Sequence, residues 1–244
     1  MEGITEIDII ILSSGQNDEL RTITENCIDS LMLSESPHQI SFNILVIESQ
    51  KDLMPFQYPN ATTIYPEEDF SCNKYLNIGI EASSSKYVCL CNNDLIFHPR
   101  WATELLRAFD QNPDLSSASP VCSLHHPGIG YKLNSGLYTG YRSNYELAGW
   151  CIFLKRDAFR IIGKLDENYK FWCADNDYGN SLNVLRLRHA LVSSSVVDHL
   201  DSTAFNSPAE EENDQITDSE FFYFEKKWNY RTVAQEWKEI KMEI

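Results

Sequence analysis

Residues 87–94 read Tyr87-Val88-Cys89-Leu90-Cys91-Asn92-Asn93-Asp94, five residues suited to a buried strand that stop at three polar side chains. A short apolar run bounded by turn formers predicts a strand enclosed in a sheet. The polar triplet then emerges where the chain leaves that sheet. Two upstream stretches repeat the pattern: the β-branched run 7–12 ends at Ser13-Ser14-Gly15-Gln16, and the run 42–47 ends at Glu48. Between them Asn17 is placed to cap a helix, with Asp18 and Glu19 in the first turn, where the helix dipole favours acids. Leu20, Ile23, Cys27 and Leu31 recur at helical spacing, and Pro37 closes the segment. A short strand over 62–65 and a helix over 73–83, with Leu76 and Ile80 on one face, lead into the quoted strand. A third helix opens at Pro99, with Leu105, Leu106 and Phe109 on its apolar side. Strand and helix in alternation predict an α/β fold, a mostly parallel sheet with helices on both faces.

The rest of the chain is less regular. Residues 123–145 hold Gly128, Gly130, Gly136 and Gly140 among Tyr131, Tyr138 and Tyr141 without a sustained period, which predicts a long loop, either functional or disordered. A strand is expected over 148–154, a short helix over 156–162 ended by Gly163, and a last strand over 191–197. Residues 209–220 carry six acids and read as a solvated linker or lid. Residues 220–244 read as helical, with Phe221, Phe224, Trp228 and Trp237 available to dock.

The chain has 244 residues, enough for one large domain, with 43% hydrophobic and 23% charged residues, as in ordinary globular proteins. Twenty basic against 36 acidic residues give a net charge of −16. Such a surface disfavours nucleic acid and anionic membranes as partners, short of a local basic face. It also makes a phosphorylated substrate hard to accept unless a divalent cation intervenes. No apolar run approaches the ~20 residues that span a bilayer, and residues 1–6 lack the basic start of a secretory leader, so a cytoplasmic protein is expected. Of seven Cys, only Cys89 and Cys91 are close in sequence, short of a zinc pattern, which predicts buried free thiols. His125-His126 ahead of Pro127-Gly128 reads as a turn rather than a metal site.

Ligands of open parallel sheets collect beyond the carboxyl ends of the strands. Four polar groups fall there: Ser13/Ser14, Glu48, Asn92-Asn93-Asp94 and Asp198-His199. Any one of them is ordinary turn chemistry. Together, the Asp94 carboxylate and the His199 imidazole, with waters and diphosphate oxygens, would make an octahedral site for Mn²⁺ or Mg²⁺.

These segments resemble, in order and spacing, the inverting family-2 glycosyltransferases. Residues 7–15, 45–48, 73–80 and 87–94 look like that family's nucleotide-sugar half. Gly149-Trp150-Cys151-Ile152-Phe153-Leu154, Leu165-Asp166-Glu167 and residues 172–178 look like its acceptor half. His199 with Ser202 and Thr203 is similar to its closing metal site, and residues 223–228, with Lys226 and Lys227, resemble its C-terminal helix. The resemblance implies a GT-A fold, a Rossmann-like sheet merged with a mixed acceptor region. It implies one domain over 1–244: a nucleotide-sugar half to about 115, an acceptor and catalytic half over 116–205, and an acidic linker with C-terminal helices over 206–244.

The roles it implies are specific. Ser13 and Ser14 line the base, Glu48 accepts from the base N–H or the ribose, and Asn73 and Lys74 sit near ribose and diphosphate. Asn92 and Asn93 meet sugar or ribose hydroxyls, and Gly149 and Trp150 form a floor under the donor sugar. Asp94 and His199 bind the cation. Asp175 is the general base, with Asp177 binding acceptor or taking the base role in its place. The loop 125–145 folds over the acceptor, Lys132 and Arg142 meeting a negative one. Two departures stand out: Asn92 where the family has the first Asp of Asp-x-Asp, and Ala174 where it has Glu. The implied activity is metal-dependent transfer from a nucleotide-sugar, UDP-linked in the first instance, to an acceptor hydroxyl of a glycan, glycolipid, protein or modified base. The alternatives are a non-catalytic nucleotide-sugar-binding domain and a nucleotidyltransferase, the latter disfavoured because no basic residue lies in 13–17.

Overall fold

A computed structural model describes residues 3–200 and 210–229. The first half alternates as the sequence suggests: β1 (Thr5–Ser13), α1 (Asp18–Ser34), β2 (Ile40–Glu48), β3 (Thr62–Ile64), α2 (Cys72–Glu81) and β4 (Tyr87–Cys91). Asn17 caps α1, its side chain accepting from the Leu20 N–H at 2.9 Å. The chain continues through β5 (Leu95–Phe97), α3 (Trp101–Gln111), β6 (Leu115–Val121), β7 (Leu137–Thr139) and β8 (Cys151–Lys155). It closes with α4 (Phe159–Ile162), α5 (Ala174–Val184), β9 (Arg188–His199) and α6 (Glu210–Trp228).

The strands form one sheet in the order β3-β2-β1-β4-β8-β6-β9-β5, with β7 also on β9. β3, β2, β1 and β4 are mutually parallel, while β8 runs against both of its neighbours. Side chains alternate between the faces. Ile9 and Ile11 of β1 pack with Cys27, Ile28 and Leu31 of α1 and Leu105 and Phe109 of α3. Ile10 between them packs on the other face, with Tyr75 of α2 and Tyr178 and Leu182 of α5. α2 lies so close that a Cβ on Gly79 would come within 2.5 Å of Ile10.

The structure changes three expectations. α3 begins at Trp101, one residue after Arg100 in the left-handed region, rather than at Pro99. Residues 123–145 contribute the strand β7 to the sheet. The acidic stretch expected as a linker is helical from Glu210 onward. Phe221, Phe224 and Trp228 of α6 dock around Tyr169 and Cys173, as the docking expectation required. Trp237, Ser202 and Thr203 lie outside the described residues. Among the described residues no helix is long and apolar enough to cross a membrane. All seven cysteines are free.

Between the sheet and α5, Tyr178 donates to Ser117 Oγ at 3.0 Å, and Ser117 Oγ lies 2.9 Å from Nδ1 of fully buried His189, whose Nε2 is 3.1 Å from the Glu146 carbonyl. Accepting at Nδ1 and donating at Nε2 is the hydrogen-bonding pattern of a neutral imidazole, and burial holds the ring's pKa down to about 4. The unfolded chain takes up this proton near 6.5, so it binds more protons than the folded chain between about pH 6.5 and 4. Stability is therefore expected to fall by about 2 kcal/mol from pH 7 to pH 5 through this group. Urea midpoints across that range check it, and His189→Gln is expected to flatten the slope.

Candidate active site

Four parallel strands that end within about two residues of one another place their following loops on one edge of the sheet, and a cavity of about 760 Å³ opens there, within the ~300–1,000 Å³ usual for small-molecule sites. β1 and β2 end together, Ser13 opposite Glu48. Ser13, Ser14, Asn73, Asn92, Asn93 and His199 line the cavity from the sheet side. Gly149, Trp150 and Asp175 line it from the acceptor side.

Asp94 and His199 are 105 positions apart in sequence, yet strand register unites them. After β4 the chain steps out of the main sheet into β5, which pairs antiparallel with the far end of β9, Leu95 opposite His199. The Leu200 N–H donates to the Asp94 carbonyl at 3.0 Å. As a result His199 Nε2 lies 3.3 Å from Asp94 Oδ1 and 3.5 Å from Asn92 Nδ2. Asp94 is 1% exposed. One buried carboxylate oxygen beside one imidazole nitrogen is a donor set that suits a Mn²⁺ or Mg²⁺ ion completed by ligand oxygens and water.

Trp150 is 7% exposed, and its ring stacks on His199 with centroids 5.0 Å apart and planes 3° from parallel. One face of the indole is thus taken by the imidazole, while Trp150 still lines the cavity where the sugar floor is expected. Gly149 has a different use. A Cβ there would stand 2.7 Å from Asp175 Oδ2, so the missing side chain is what lets the carboxylate settle. Gly149→Ala is expected to displace Asp175 and lower kcat about 100-fold, the order of loss for a misplacement near 1 Å. Turnover measured beside a thermal melt that stays near wild type checks this.

Asp175 stands in the first turn of α5, after Cys173 in the left-handed region (φ 60°). Its Oδ2 accepts from the Ser143 hydroxyl and its Oδ1 from the Asn176 N–H at 2.9 Å. Ser143 carries no sequence signal for this role.

Asp177 is corrected as a base and as an acceptor ligand. It is buried, and Oδ1 accepts from Trp228 Nε1 at 2.8 Å and pairs with Lys227 Nζ at 2.7 Å, both from α6. Glu48 is corrected too. It is fully buried, with its oxygens accepting from the Gly15 N–H at 3.0 and 3.2 Å, the Gln50 N–H at 2.8 Å and the Tyr58 hydroxyl at 2.9 Å. Its carboxylate is engaged in shaping the loop after β1, and it does not line the cavity. Ser13 shares its hydroxyl with Thr24 at 3.0 Å and Tyr58 at 3.1 Å, and Ser14 accepts from Gln50 at 3.1 Å.

Asn73 reaches the cavity but donates to the Asp166 carbonyl at 2.9 Å, and Asn93 donates to Thr24 at 2.8 Å. Lys74, Lys132 and Arg142 do not line the cavity. Arg142 is held by Glu146, whose carboxyl, despite burial that would raise it, is pushed down to about 2 by Arg142 and Tyr131. His126 accepts from the Cys122 N–H at 2.8 Å through Nδ1 and so behaves as the turn residue expected. Among the described residues, no Lys or Arg lines the cavity at all.

Residues 46–156 match the family Glycosyl transferase family 2. The chain is 22% identical over 246 residues to the O-antigen biosynthesis protein RfbC of Myxococcus xanthus, covering 88% of this chain and 19% of that protein. Among solved structures, GalNAc-T7 crystallised with UDP, GalNAc and Mn²⁺ superposes with a TM-score of 0.60 at 11% identity, over 82% of this chain and 44% of that one. S. aureus TarS 1-349 superposes with a TM-score of 0.59 at 12% identity, over 87% of this chain and 69% of that one. The chain thus spans less than half the length of the first two proteins it matches. With the parallel sheet, the stepped-out strand and the cavity at the strand ends, these matches show a GT-A fold in which residues 46–156 match Glycosyl transferase family 2.

Proposed function

We propose that this domain transfers a sugar, with inversion at the anomeric carbon, from a UDP-linked donor to a hydroxyl of a saccharide acceptor in a reducing, cytoplasmic setting. The observation that carries the reading is electrostatic. A cavity holding the Asp175 carboxylate, and His199 paired to Asp94, contains no Lys or Arg among the described residues. On a chain of net charge −16, a diphosphate entering that cavity needs its charge met by a cation. Asp94 and His199 would hold such an ion, which would stabilise the negative charge growing on the departing diphosphate.

The chain's own residues supply the rest. Asp175 takes the acceptor's hydroxyl proton as its oxygen bonds to the anomeric carbon; the bond from that carbon to the diphosphate oxygen breaks, and its electron pair leaves with the diphosphate. Ser143 donates to one oxygen of that carboxylate and the Asn176 N–H to the other, which fixes its orientation at the cavity wall. Ser13, Ser14 and Asn92 lie where ribose and base would rest, and Trp150 fixes the plane of His199. The chemistry of the neighbour bound to UDP and Mn²⁺, and of a relative named for O-antigen biosynthesis, is consistent with this reading.

A thermal-shift panel of UDP-, GDP-, CDP- and dTDP-sugars, with and without Mn²⁺, tests it. A true donor at about 100 times its Kd is expected to add about 2.7 kcal/mol of stability. The shift is expected to require the metal and to vanish in Asp94→Ala. Absence of a shift from every nucleotide would overturn the reading.

A further inference from the structure

The cavity's outer edge carries two aromatic rings that the transfer chemistry leaves unused. Phe171 and Trp172 both line it, and they are 36% and 39% exposed. Their backbone is held with unusual firmness for exposed residues. Glu220 of α6, itself 2% exposed, accepts from three consecutive N–H groups: Lys170, Phe171 at 3.2 and 3.4 Å, and Trp172 at 2.7 Å. The other edge of the same segment is tied to α2, where the Cys72 N–H donates to the Lys170 carbonyl at 2.7 Å and Ser71 donates to the Tyr169 carbonyl at 3.0 Å. Phe70 packs on Phe171 with ring centroids 5.0 Å apart.

Burying a carboxylate is costly unless its lone pairs are filled. Here backbone donors fill them, and the outcome is a segment fixed along both edges that presents its rings to the cavity. Trp172 precedes Asp175 by three residues, which limits their Cα separation to about 11 Å. Ser143, Asn144 and Asn176 line the cavity with them and offer hydroxyl and amide groups.

A rigid aromatic plane beside neutral hydrogen-bonding groups matches the two sides of a sugar ring, an apolar C–H face and a rim of hydroxyls. A lipid chain would need a continuous apolar groove, and an acidic acceptor would need Lys or Arg side chains, which do not line the cavity among the described residues. We propose that Phe171 and Trp172 form the acceptor subsite, a shelf for the flat face of a saccharide ring, and that Glu220 is the positioning residue that holds it. The assignment deepens the transferase reading and rests on it for the word acceptor. The shelf itself is tested without turnover.

The full chain, fluorescently labelled, is applied to an array of immobilised glycans with and without UDP and Mn²⁺, as wild type, Trp172→Phe, Trp172→Ala and Glu220→Gln. Wild type and Trp172→Phe are expected to bind the same glycans, with signal about tenfold lower in Trp172→Ala and Glu220→Gln. Hydrogen exchange is the second measurement. Glu220→Gln should speed exchange at the Lys170, Phe171 and Trp172 amides while the rest of the protected core exchanges as in wild type.

Binding of no glycan, glycan binding indifferent to Trp172→Ala, or Trp172-dependent binding to phosphatidylglycerol vesicles instead of glycans would each overturn the shelf. Unchanged exchange at the three amides would overturn the role of Glu220. If glycans bind as expected while no nucleotide-sugar shifts the melt, the transferase reading fails and the saccharide shelf stands. The reverse pattern separates the two the other way.

Discussion

Replacing Asp175 with Asn should lower kcat by about 10²–10⁴, the usual contribution of a positioned general base, while leaving the metal-dependent thermal shift from the donor intact. The substitution keeps the side chain's shape and an oxygen for Ser143, but it removes the site that accepts the acceptor's proton. The donor contacts proposed above, at Ser13, Ser14 and Asn92, are on the sheet side of the cavity and would not involve this carboxylate. Asp177→Asn provides the contrast. Its partners are Lys227 and Trp228, so it is expected to loosen α6 and lower the melting temperature, with far less effect on turnover. Turnover of Asp175→Asn within tenfold of wild type would remove it as the base. A wild-type chain that binds donor but never turns it over would instead favour the non-catalytic binding domain that Asn92 and Ala174 allow.

Much of this architecture is readable from residue order because it rests on local pattern. The runs in β1, β2 and β4 are apolar and β-branched, and the α1 cap sits where its residue types demand. β6 escaped because Leu115–Val121 contains three Ser and a Pro and shows no apolar period. Ser117 and Ser119 are buried all the same. Ser117 serves Tyr178 and His189, and Ser119 accepts from the Ala148 N–H at 3.1 Å. β8 starts at Cys151, three residues later than expected, because Ala148 to Cys151 is closed by a turn hydrogen bond of 2.9 Å.

The candidate site divides along the same line. That polar groups cluster at strand ends is legible. Which of them stay available is decided by partners far along the chain. Tyr58 engages Glu48 from ten positions away, and Trp228 engages Asp177 from 51. Glu220, among the acids read as solvent-facing, grips the loop before the base. A carboxylate in sequence has the same appearance whether it will meet a substrate or a backbone amide.

The second large effect is expected at the opposite edge of the sheet and should spare the site. Asp8 lies five residues before Ser13 on β1, about 17 Å away at the usual strand rise, and is fully buried. It accepts from Asn43 at 2.8 Å, from the Ser85 N–H at 2.6 Å and hydroxyl at 2.8 Å, and from Arg156 at 2.7 Å. Arg156 in turn donates to the Ser85 and Ile80 carbonyls at 2.6 and 3.1 Å, tying β1, the end of α2 and the end of β8 together. Burial alone would raise the Asp8 carboxyl, but the Asn43 and Ser85 hydrogen bonds and the Arg156 charge hold it below its ordinary value.

Arg156→Met leaves that carboxylate buried without its counter-charge, an error that costs about 3–5 kcal/mol. At about 2–4 °C per kcal/mol for a chain of this size, the melting temperature should fall by roughly 6–20 °C. Asp8→Asn with Arg156→Met removes the charge as well and should recover part of the loss. The pH dependence gives a sharper check. In wild type a depressed carboxyl contributes stability above its unfolded value, and that contribution is lost as pH falls through the folded one. Without Arg156 a lowering charge is lost and the folded value rises from its depressed position, so the variant's deficit should be widest near pH 7 and should narrow toward pH 4. A deficit that is flat with pH would mean that Arg156 acts through packing and not through charge. A change in donor KM would mean that the two edges of the sheet are not independent.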